Sequence, residues 1–188
     1  MKIGILISGR GSNMIAIVDA VKGGEVSGAE VVVVISDKAE AAGLEKARER
    51  GVETVVVERN GRTRKDHDAE IVSELKKRDV DLVCLAGYMR LLSPDFVQAF
   101  PHNIINIHPS LLPAFPGLNA QKRAFDAGVK ITGCTVHYVD EYLDHGPVIL
   151  QKEVNVSDSD TVETVSARIL KQEHLLYVDA LKKIAIAI

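Results

Sequence analysis

The stretch Ile3-Gly-Ile-Leu-Ile7, followed at once by Ser8-Gly-Arg-Gly-Ser-Asn13, sets the expected fold of this chain. A short run that is apolar at nearly every position is typical of a parallel strand covered on both faces. Beyond the glycines, apolar residues recur at the i, i+3, i+4 and i+7 positions of a helix: Met14, Ile17, Val18 and Val21. A strand that leads through a glycine-rich turn into a helix predicts the first unit of an α/β fold.

Short β-branched runs continue to alternate with longer amphipathic stretches along the rest of the chain. Strands are predicted over Ile3–Ile7, Val31–Ile35, Val52–Val57, Leu82–Ala86, Asn103–Ile107, Ile131–Val139 and Val148–Val156. Helices after the first are predicted over Ala39–Arg50, Arg64–Arg78, Asn119–Ala127 and Thr161–Lys183. Three prolines between His108 and Gly117 predict an irregular loop. The pattern favours an α/β fold: a doubly wound, mostly parallel, Rossmann-like sheet with helices on both faces.

Composition limits the function classes. The chain has 188 residues, 46% hydrophobic and 26% charged, which fits one folded domain over residues 1–188. A formal net charge of −3 gives no basic surplus for a nucleic acid or an anionic membrane. No apolar run approaches the roughly 20 residues of a membrane span, and Ile3–Ile7 is too short for a signal-peptide core, so we expect a cytoplasmic protein. Cys84 and Cys134 are expected to be buried core residues, without a disulfide framework.

The glycine-rich turn is the first candidate site, because open α/β sheets bind ligands beyond the carboxyl ends of their strands. Glycines let the backbone approach an anion, and a helix N-terminus offers free N–H groups, so Ser8–Asn13 predicts phosphate binding. Met14 stands where a dinucleotide-binding fingerprint has its third glycine, and no Walker lysine follows. The alternative is structural: Ser12 could be only the N-cap of the helix, and the glycines only a tight turn.

A second candidate site lies where the fifth predicted strand ends. Two-residue periodicity places Asn106 and His108 on one face of the sheet. An amide donor beside an imidazole suits acyl transfer, because the amide can hydrogen-bond a developing oxyanion while the imidazole handles protons. A lone histidine is more often a packed or surface residue, and the neighbouring asparagine reverses that preference.

Three further features complete the candidate set. Asp144, in the polar loop Val139–Pro147, could stabilise a protonated His108, although an acid in this loop could equally be a solvated turn residue. Glu173 falls on the apolar stripe of the last helix, where a carboxylate is costly unless it is paired or binds a ligand. Thr135 and His137 alternate in the strand that leads to the polar loop, and both are candidate supporting residues. Asp160 with Glu163 predicts a capping box. No zinc pattern is present, and we expect no metal.

Three motifs carry a resemblance to a known family: Ile7-Ser-Gly-Arg-Gly-Ser-Asn13, Asn106-Ile-His-Pro-Ser-Leu-Leu-Pro113, and Gly133-Cys-Thr-Val-His-Tyr-Val-Asp-Glu-Tyr-Leu-Asp-His-Gly-Pro147. In order and spacing the chain resembles the glycinamide ribonucleotide formyltransferases essentially end to end. The resemblance implies transfer of a formyl group from 10-formyltetrahydrofolate to the amine of phosphoribosylglycinamide, in purine biosynthesis. It also implies a phosphate-binding half over about residues 1–100 and a folate and catalytic half over about 101–188.

The resemblance further implies roles for individual residues. The catalytic trio is Asn106, His108 and Asp144. The substrate is held by Gly11, Ser12, Asn13, Gly87, Pro109 and Glu173. The folate co-substrate is bound by Arg64, Met89, Arg90, Leu91, Leu92, Asn106, Val139, Asp140 and Asp144. The chain departs from the common pattern at Asn119, where many members have histidine, and at Leu170, where a polar residue can help to bind substrate.

Related folate-dependent enzymes and a non-catalytic folate- or nucleotide-binding module are the alternatives. Methionyl-tRNA formyltransferase adds a tRNA-binding domain and formyltetrahydrofolate hydrolase adds a regulatory one, and we expect neither domain in a chain of this length. A sensing module would not need Asn106, His108 and Asp144 together. The expected partners are therefore two small molecules, with no nucleic acid or membrane, and the expected state is a monomer or weak homodimer.

Overall fold

The computed structural model describes residues 1–186 and contains, over that range, one seven-stranded sheet. Its strands are β1 (Lys2–Ile7), β2 (Glu30–Ser36), β3 (Thr54–Val56), β4 (Leu82–Leu85), β5 (Ile104–His108), β6 (Ile131–Tyr138) and β7 (Val148–Asn155). Its helices are α1 (Ser12–Lys22), α2 (Ala42–Glu49), α3 (Arg64–Lys76), α4 (Pro94–Ala99), α5 (Ala120–Asp126) and α6 (Val162–Ile186).

The strand order β3-β2-β1-β4-β5-β6-β7 confirms the predicted mostly parallel, doubly wound sheet. Strands β1 to β5 pair in parallel. Strand β6 runs antiparallel to β5, and β7 runs antiparallel to β6. The direction of winding reverses between β1 and β4, so a crevice is expected beyond the carboxyl ends of these two strands.

Two apolar clusters cover the two faces of the sheet. One joins β1 to helices α1, α2 and α6 and contains Ile5; the other joins β1 to α3 and α4 and contains Leu6. Successive residues of β1 are therefore buried on opposite faces, which is why that strand is apolar without alternation. In β5, Ile104 packs in the cluster that contains Leu6, and Ile105 packs in the cluster that contains Ile5. Asn106 and His108 therefore share the face of Ile104, as predicted.

Helix α4 was not predicted, although its start signals are present. The Ser93 hydroxyl accepts a hydrogen bond from the N–H of Phe96, and Pro94 occupies the first turn. Six residues give too little periodicity to be recognised from sequence. The predicted Ala39–Arg50 helix was also too long, because α2 begins only at Ala42.

The predicted capping box of the last helix was wrong. Thr161 and Thr164 form it instead, each hydroxyl accepting the backbone N–H of the other residue. Asp160 binds Arg168 and the N–H of Ser157, so it closes the preceding turn. No helix within residues 1–186 combines the length and apolar character that a membrane span requires.

Candidate active site

The glycine-rich turn places the N-terminus of α1 at the carboxyl edge of the sheet. Gly11 is the residue before the helix; its φ is 71°, and no side chain caps the helix. Ser12 is the first helical residue, so the alternative that it merely caps α1 is wrong. A side chain at Gly11 would put a Cβ 2.8 Å from the Cα of Gly43, at the start of α2. The turn thus requires glycine for close approach, and the helix terminus is left open to an anion.

Asn13 and Glu173 meet across the molecule. The side-chain N–H of Asn13 donates to Glu173 Oε2 over 2.8 Å, and both residues are buried. Burial raises the pKa of the Glu173 carboxyl, and the hydrogen bond from Asn13 opposes that shift. Glu173, which the apolar stripe of α6 predicted to face the core, therefore has a partner in the glycine-rich turn. Asn13 and Glu173, both predicted to hold the substrate, lie in direct contact.

Strand β5 holds Asn106 beside His137. Antiparallel pairing sets Asn106 opposite His137, and Asn106 Nδ2 lies 3.2 Å from His137 Nε2. The other ring nitrogen of His137 contacts the Tyr138 carbonyl at 2.8 Å, and a carbonyl can only accept. Burial lowers the pKa of His137. A neutral ring therefore accepts one N–H of Asn106, and the second N–H of that amide remains available.

His108 lies between two acceptors. Its Nδ1 is 3.3 Å from Asp144 Oδ2, and its Nε2 is 2.9 Å from the Phe115 carbonyl. The side chains of His108 and Asp144 are only 6% and 9% exposed. Because a carbonyl oxygen and a carboxylate oxygen both accept hydrogen bonds, each ring nitrogen of His108 faces an acceptor.

Asp144 is fixed by the backbone around it. The N–H of Gly117 donates to its Oδ2 over 2.7 Å, and Asp144 has a φ of 50°, in the left-handed region. Its other oxygen, Oδ1, lies 3.8 Å from His137 Nε2. The structure thus brings Asn106, His108 and Asp144 into one group with His137, and the alternative of a solvated turn residue at Asp144 is wrong.

The irregular loop after His108 is anchored by side chains of β6 and β7 that the sequence only partly predicted. Thr135 Oγ1 donates to the Ser110 carbonyl over 2.7 Å and accepts the N–H of Leu112 over 3.1 Å. Gln151, opposite Thr135 on β7, donates to the Leu112 carbonyl over 2.8 Å. Thr135 was a candidate supporting residue. Gln151 was missed because only the β6–β7 register places it opposite Thr135, and Ser110 was missed because its contact depends on the path of the irregular loop.

The segment after β4 carries four of the residues assigned to folate: Met89, Arg90, Leu91 and Leu92. Met89 and Leu91 are exposed, whereas Leu92 and Val139 pack against the apolar cluster that contains Phe96. The Gly87 carbonyl accepts the N–H of Ser8 over 3.1 Å. This segment thus borders the turn that follows β1.

The other predicted residues are exposed or half-buried. Arg64 is exposed at the first position of α3, and Pro109 is half-buried after His108. Asp140 accepts the N–H of Tyr142 and contacts His145, so it stabilises its own loop. Asn119 precedes α5 with a φ of 56°, and Leu170 is half-buried on α6. Over residues 1–186, no cluster of three or more His, Cys, Asp or Glu side chains could hold a metal ion.

An amide donor and an imidazole–carboxylate pair, on a Rossmann-like sheet with an open helix terminus, are the groups that a group-transfer enzyme requires. The chain belongs to the formyl transferase family, whose pattern matches residues 1–181.

Individual relatives have related names. Phosphoribosylglycinamide formyltransferase of Escherichia coli (strain K12) is 44% identical over 178 residues, covering 94% of this chain and 84% of that protein. Trifunctional purine biosynthetic protein adenosine-3 of Bos taurus is 46% identical over 186 residues, covering 98% of this chain but only 18% of that protein. The crystal structure of glycinamide ribonucleotide transformylase 1 from Symbiobacterium toebii superposes with a TM-score of 0.97 at 49% identity, covering 100% of this chain and 88% of that one.

Proposed function

We propose that this protein transfers the formyl group of 10-formyltetrahydrofolate to the amine of 5'-phosphoribosylglycinamide, giving formylglycinamide ribonucleotide and tetrahydrofolate. The observation that carries the proposal is the group formed by Asn106, His108 and Asp144 at the carboxyl end of β5. The names of the relatives supply the formyl acceptor and the setting of purine biosynthesis, and the folate donor follows from the resemblance of the three motifs to the family.

Asn106 and His108 act on the oxygen that gains charge when the substrate amine attacks the formyl carbon. The free N–H of Asn106 donates to that oxygen, while His137 keeps the amide oriented. The imidazolium of His108 provides a second donor, and Asp144 stabilises its charge. The leaving folate nitrogen needs a proton, which His108 delivers directly or through a water, and the neutral imidazole that results takes up the proton that the amine loses.

The contact between His108 and Phe115 must open during this cycle. His108 Nε2 is held by the Phe115 carbonyl at 2.9 Å, so that nitrogen is engaged by the loop. Phe115 has a φ of 53°, which a non-glycine residue rarely adopts. Displacement of this carbonyl by the substrate oxygen would release His108 Nε2 for donation to the reacting group.

The substrate phosphate and ribose would be bound by the pair of helices α1 and α6. Gly11, Ser12 and Asn13 offer backbone N–H groups at the uncapped end of α1. Glu173 is an acceptor suited to ribose hydroxyls, and its contact with Asn13 places that acceptor beside the phosphate-binding turn. Gly87 and Pro109 would border the same substrate.

The residues near β4 fit a flat, largely apolar heterocycle. Leu92 and Val139 belong to the border of an apolar cluster, and Met89 and Leu91 are exposed above it. Arg64 and Arg90 would face the acidic tail of a folate, and Asp140 the heterocycle. The bound co-substrate supplies the one-carbon unit, while the protein supplies position and electrostatics.

The same proposal extends to the molecule's setting. Its partners are these two small molecules, without nucleic acid, membrane or metal, in a cytoplasmic monomer or weak homodimer. The net charge of −3 supports the absence of polyanionic partners. We also propose one domain, with phosphate binding mainly in residues 1–100 and catalysis in residues 101–188.

An acceptor-dependence assay tests the proposed reaction. The protein is incubated with 10-formyltetrahydrofolate and phosphoribosylglycinamide, with initiator tRNA, or with no acceptor. Tetrahydrofolate release that requires phosphoribosylglycinamide is expected; equal release without an acceptor would indicate a hydrolase instead, and release with tRNA a different transferase.

Matched variants test the site. Asn106→Ala and His108→Ala should each lower turnover about 100- to 1,000-fold, the typical loss for one oxyanion donor. Asp144→Ala should also lose activity while remaining folded. Asn103→Ala, an exposed asparagine before the same strand, is the control and should retain activity. Near-normal turnover by His108→Ala would exclude the assigned role.

A further inference from the structure

The segment Gly87–Ser93, which we name the 87–93 loop, is held from three different elements. Ser8, after β1, accepts the N–H of Met89 over 2.9 Å. Asp68, on α3, accepts the N–H of Ser93 over 2.6 Å. Asp37, after β2, accepts the Nε–H of Arg90 over 2.6 Å. Only the last of these contacts is made with a side chain of the loop itself.

Asp37 is unusual among these anchors because it is a buried carboxylate with one partner. Its side chain is 2% exposed, and its Oδ1 has no hydrogen-bond partner within residues 1–186. The nearby Tyr88 hydroxyl is also buried and unpartnered over that range. Burial, followed by the negative charges of Asp37 and Asp68, raises the pKa of Tyr88, so this hydroxyl stays neutral. A buried charge is costly to retain, and Arg90 is the cation that compensates it.

The position of Asp37 is itself fixed. Ser36 Oγ accepts the N–H of Lys38 over 3.1 Å and donates to the Lys38 carbonyl over 2.9 Å. This closed turn presents the Asp37 carboxylate in one direction. The guanidinium of Arg90 is planar, so a bond at Nε also sets the direction of its two terminal nitrogens.

Arg90 lies at the boundary between this buried cluster and solvent. Its side chain is 31% exposed, against 2% for Asp37. The flanking residues Met89 and Leu91 are 66% and 51% exposed. Between the anchors at Met89 and Ser93, the side-chain ties to the core are this ion pair and the packing of Leu92, and the ion pair is the polar one.

We propose that Asp37 is a positioning residue for co-substrate binding, acting through Arg90 to hold the 87–93 loop and its guanidinium in one orientation. The inference rests on the proposed function, because the loop is the proposed folate wall. Asp37 itself contacts neither substrate; its effect is to lower the ordering cost that binding would otherwise carry.

Steady-state kinetics of Asp37→Asn provide the first test. The amide keeps the size of the carboxylate but loses the charge, so the KM for 10-formyltetrahydrofolate should rise about tenfold. The KM for phosphoribosylglycinamide should stay within about twofold. Asp79→Asn is the matched control, because Asp79 pairs with Lys2 at the opposite edge of the sheet, and should change neither KM. Equal increases in both KM values, or no increase in the folate KM, would overturn the proposal.

A double-mutant cycle with Arg90→Met tests the route of the effect. If Asp37 acts through Arg90, then Asp37→Asn should add less than about a twofold change to the folate KM in the Arg90→Met background. A full tenfold increase in that background would show that Asp37 acts otherwise, and would overturn the proposal.

Amide hydrogen exchange gives a readout that needs neither substrate nor a folded Asp37 variant. In Arg90→Met, the amides of residues 88–92 should exchange about tenfold faster than in the unmodified chain, whereas amides of β1 should be unchanged. Unaltered exchange in residues 88–92 would overturn the proposal. If the unmodified protein transfers no formyl group, the proposed function fails, and this exchange comparison still decides whether the ion pair orders the loop.

Discussion

Replacing Glu173 with glutamine should stabilise the fold and weaken substrate binding at the same time. Glu173 is 6% exposed, and burial raises the pKa of its carboxyl above the ordinary value of 4.5. Above the ordinary pKa, the folded state therefore loses stability relative to a fold with a neutral side chain at this position. Asn13 Oδ1 is buried without a partner in residues 1–186, and the amide N–H of a glutamine can donate to it.

The size and pH dependence of the stabilisation follow from these contacts. One new hydrogen bond contributes about 0.5–1.5 kcal/mol, and 1 kcal/mol raises the Tm of a chain of this size by about 2–4 °C. Because the folded pKa is raised, the protonated carboxyl stabilises the fold fully below about pH 4.5, and this contribution is lost as pH rises through the folded pKa. The advantage of Glu173→Gln should thus be small at low pH and grow toward neutral pH.

Binding should change in the opposite direction. A hydrogen bond to a charged group contributes about 1.5–3 kcal/mol, so loss of the carboxylate should raise the KM for phosphoribosylglycinamide about 10- to 100-fold.

Thermal unfolding across pH 4–8 and steady-state kinetics measure both effects of Glu173→Gln. The control is Glu163→Gln, in the first turn of the same helix, where hydrogen bonds from the backbone and from Thr161 lower the pKa of the carboxyl. Its Tm should not rise at neutral pH. A Tm of Glu173→Gln that fails to rise at pH 7, or rises equally at pH 4, would refute the reasoning.

Two further substitutions test the scaffold. Gly11→Ala should raise the KM for phosphoribosylglycinamide and lower Tm, because its Cβ would lie 2.8 Å from Gly43 Cα. The control is Gly24→Ala, which has a φ of 76° but open space around it and so shows the effect of backbone strain without the clash. Equal losses in both variants would contradict the steric explanation. Tyr177→Phe removes a buried hydroxyl that lies within 3.1 Å of carbonyls on β4 and β5, and it should lower Tm by about 2–4 °C. Tyr142→Phe, at a 71% exposed position, should leave Tm unchanged. An unchanged Tm in Tyr177→Phe would refute the contribution of this hydroxyl to stability.

Within residues 1–186, local periodicity predicted all seven strands and every helix except α4. The continuous apolar run of β1 predicted burial on both faces, and alternation in β5 placed Asn106 and His108 together. These features depend on near neighbours along the chain, so the sequence displays them directly. The glycine turn was also readable, because few other residues accept a φ of 71°.

Contacts between segments that are distant in sequence could not be predicted from local patterns. The charge of Glu173 on an apolar stripe indicated a partner, but nothing in the spacing identified Asn13, which lies 160 positions earlier. The bond from His108 to the Phe115 carbonyl depends on the path of a proline-rich loop with no period. Asp37 was not predicted as a functional residue, because an acid after a strand is usually solvated and only the folded 87–93 loop brings Arg90 to it.

Under the proposed function, the bond between Asn13 and Glu173 makes substrate binding a property of the completed fold. Synthesis proceeds from the N-terminus, so the phosphate-binding turn emerges early while α6 is still to be made. A nascent chain without α6 would lack Glu173, so substrate would select finished molecules. Ligand at 100 times its Kd adds about 2.7 kcal/mol to stability, and that gain would act on the docking of α6 against α1. Substrate supply in the cell would thereby protect the last helix from local unfolding and from proteases that capture it.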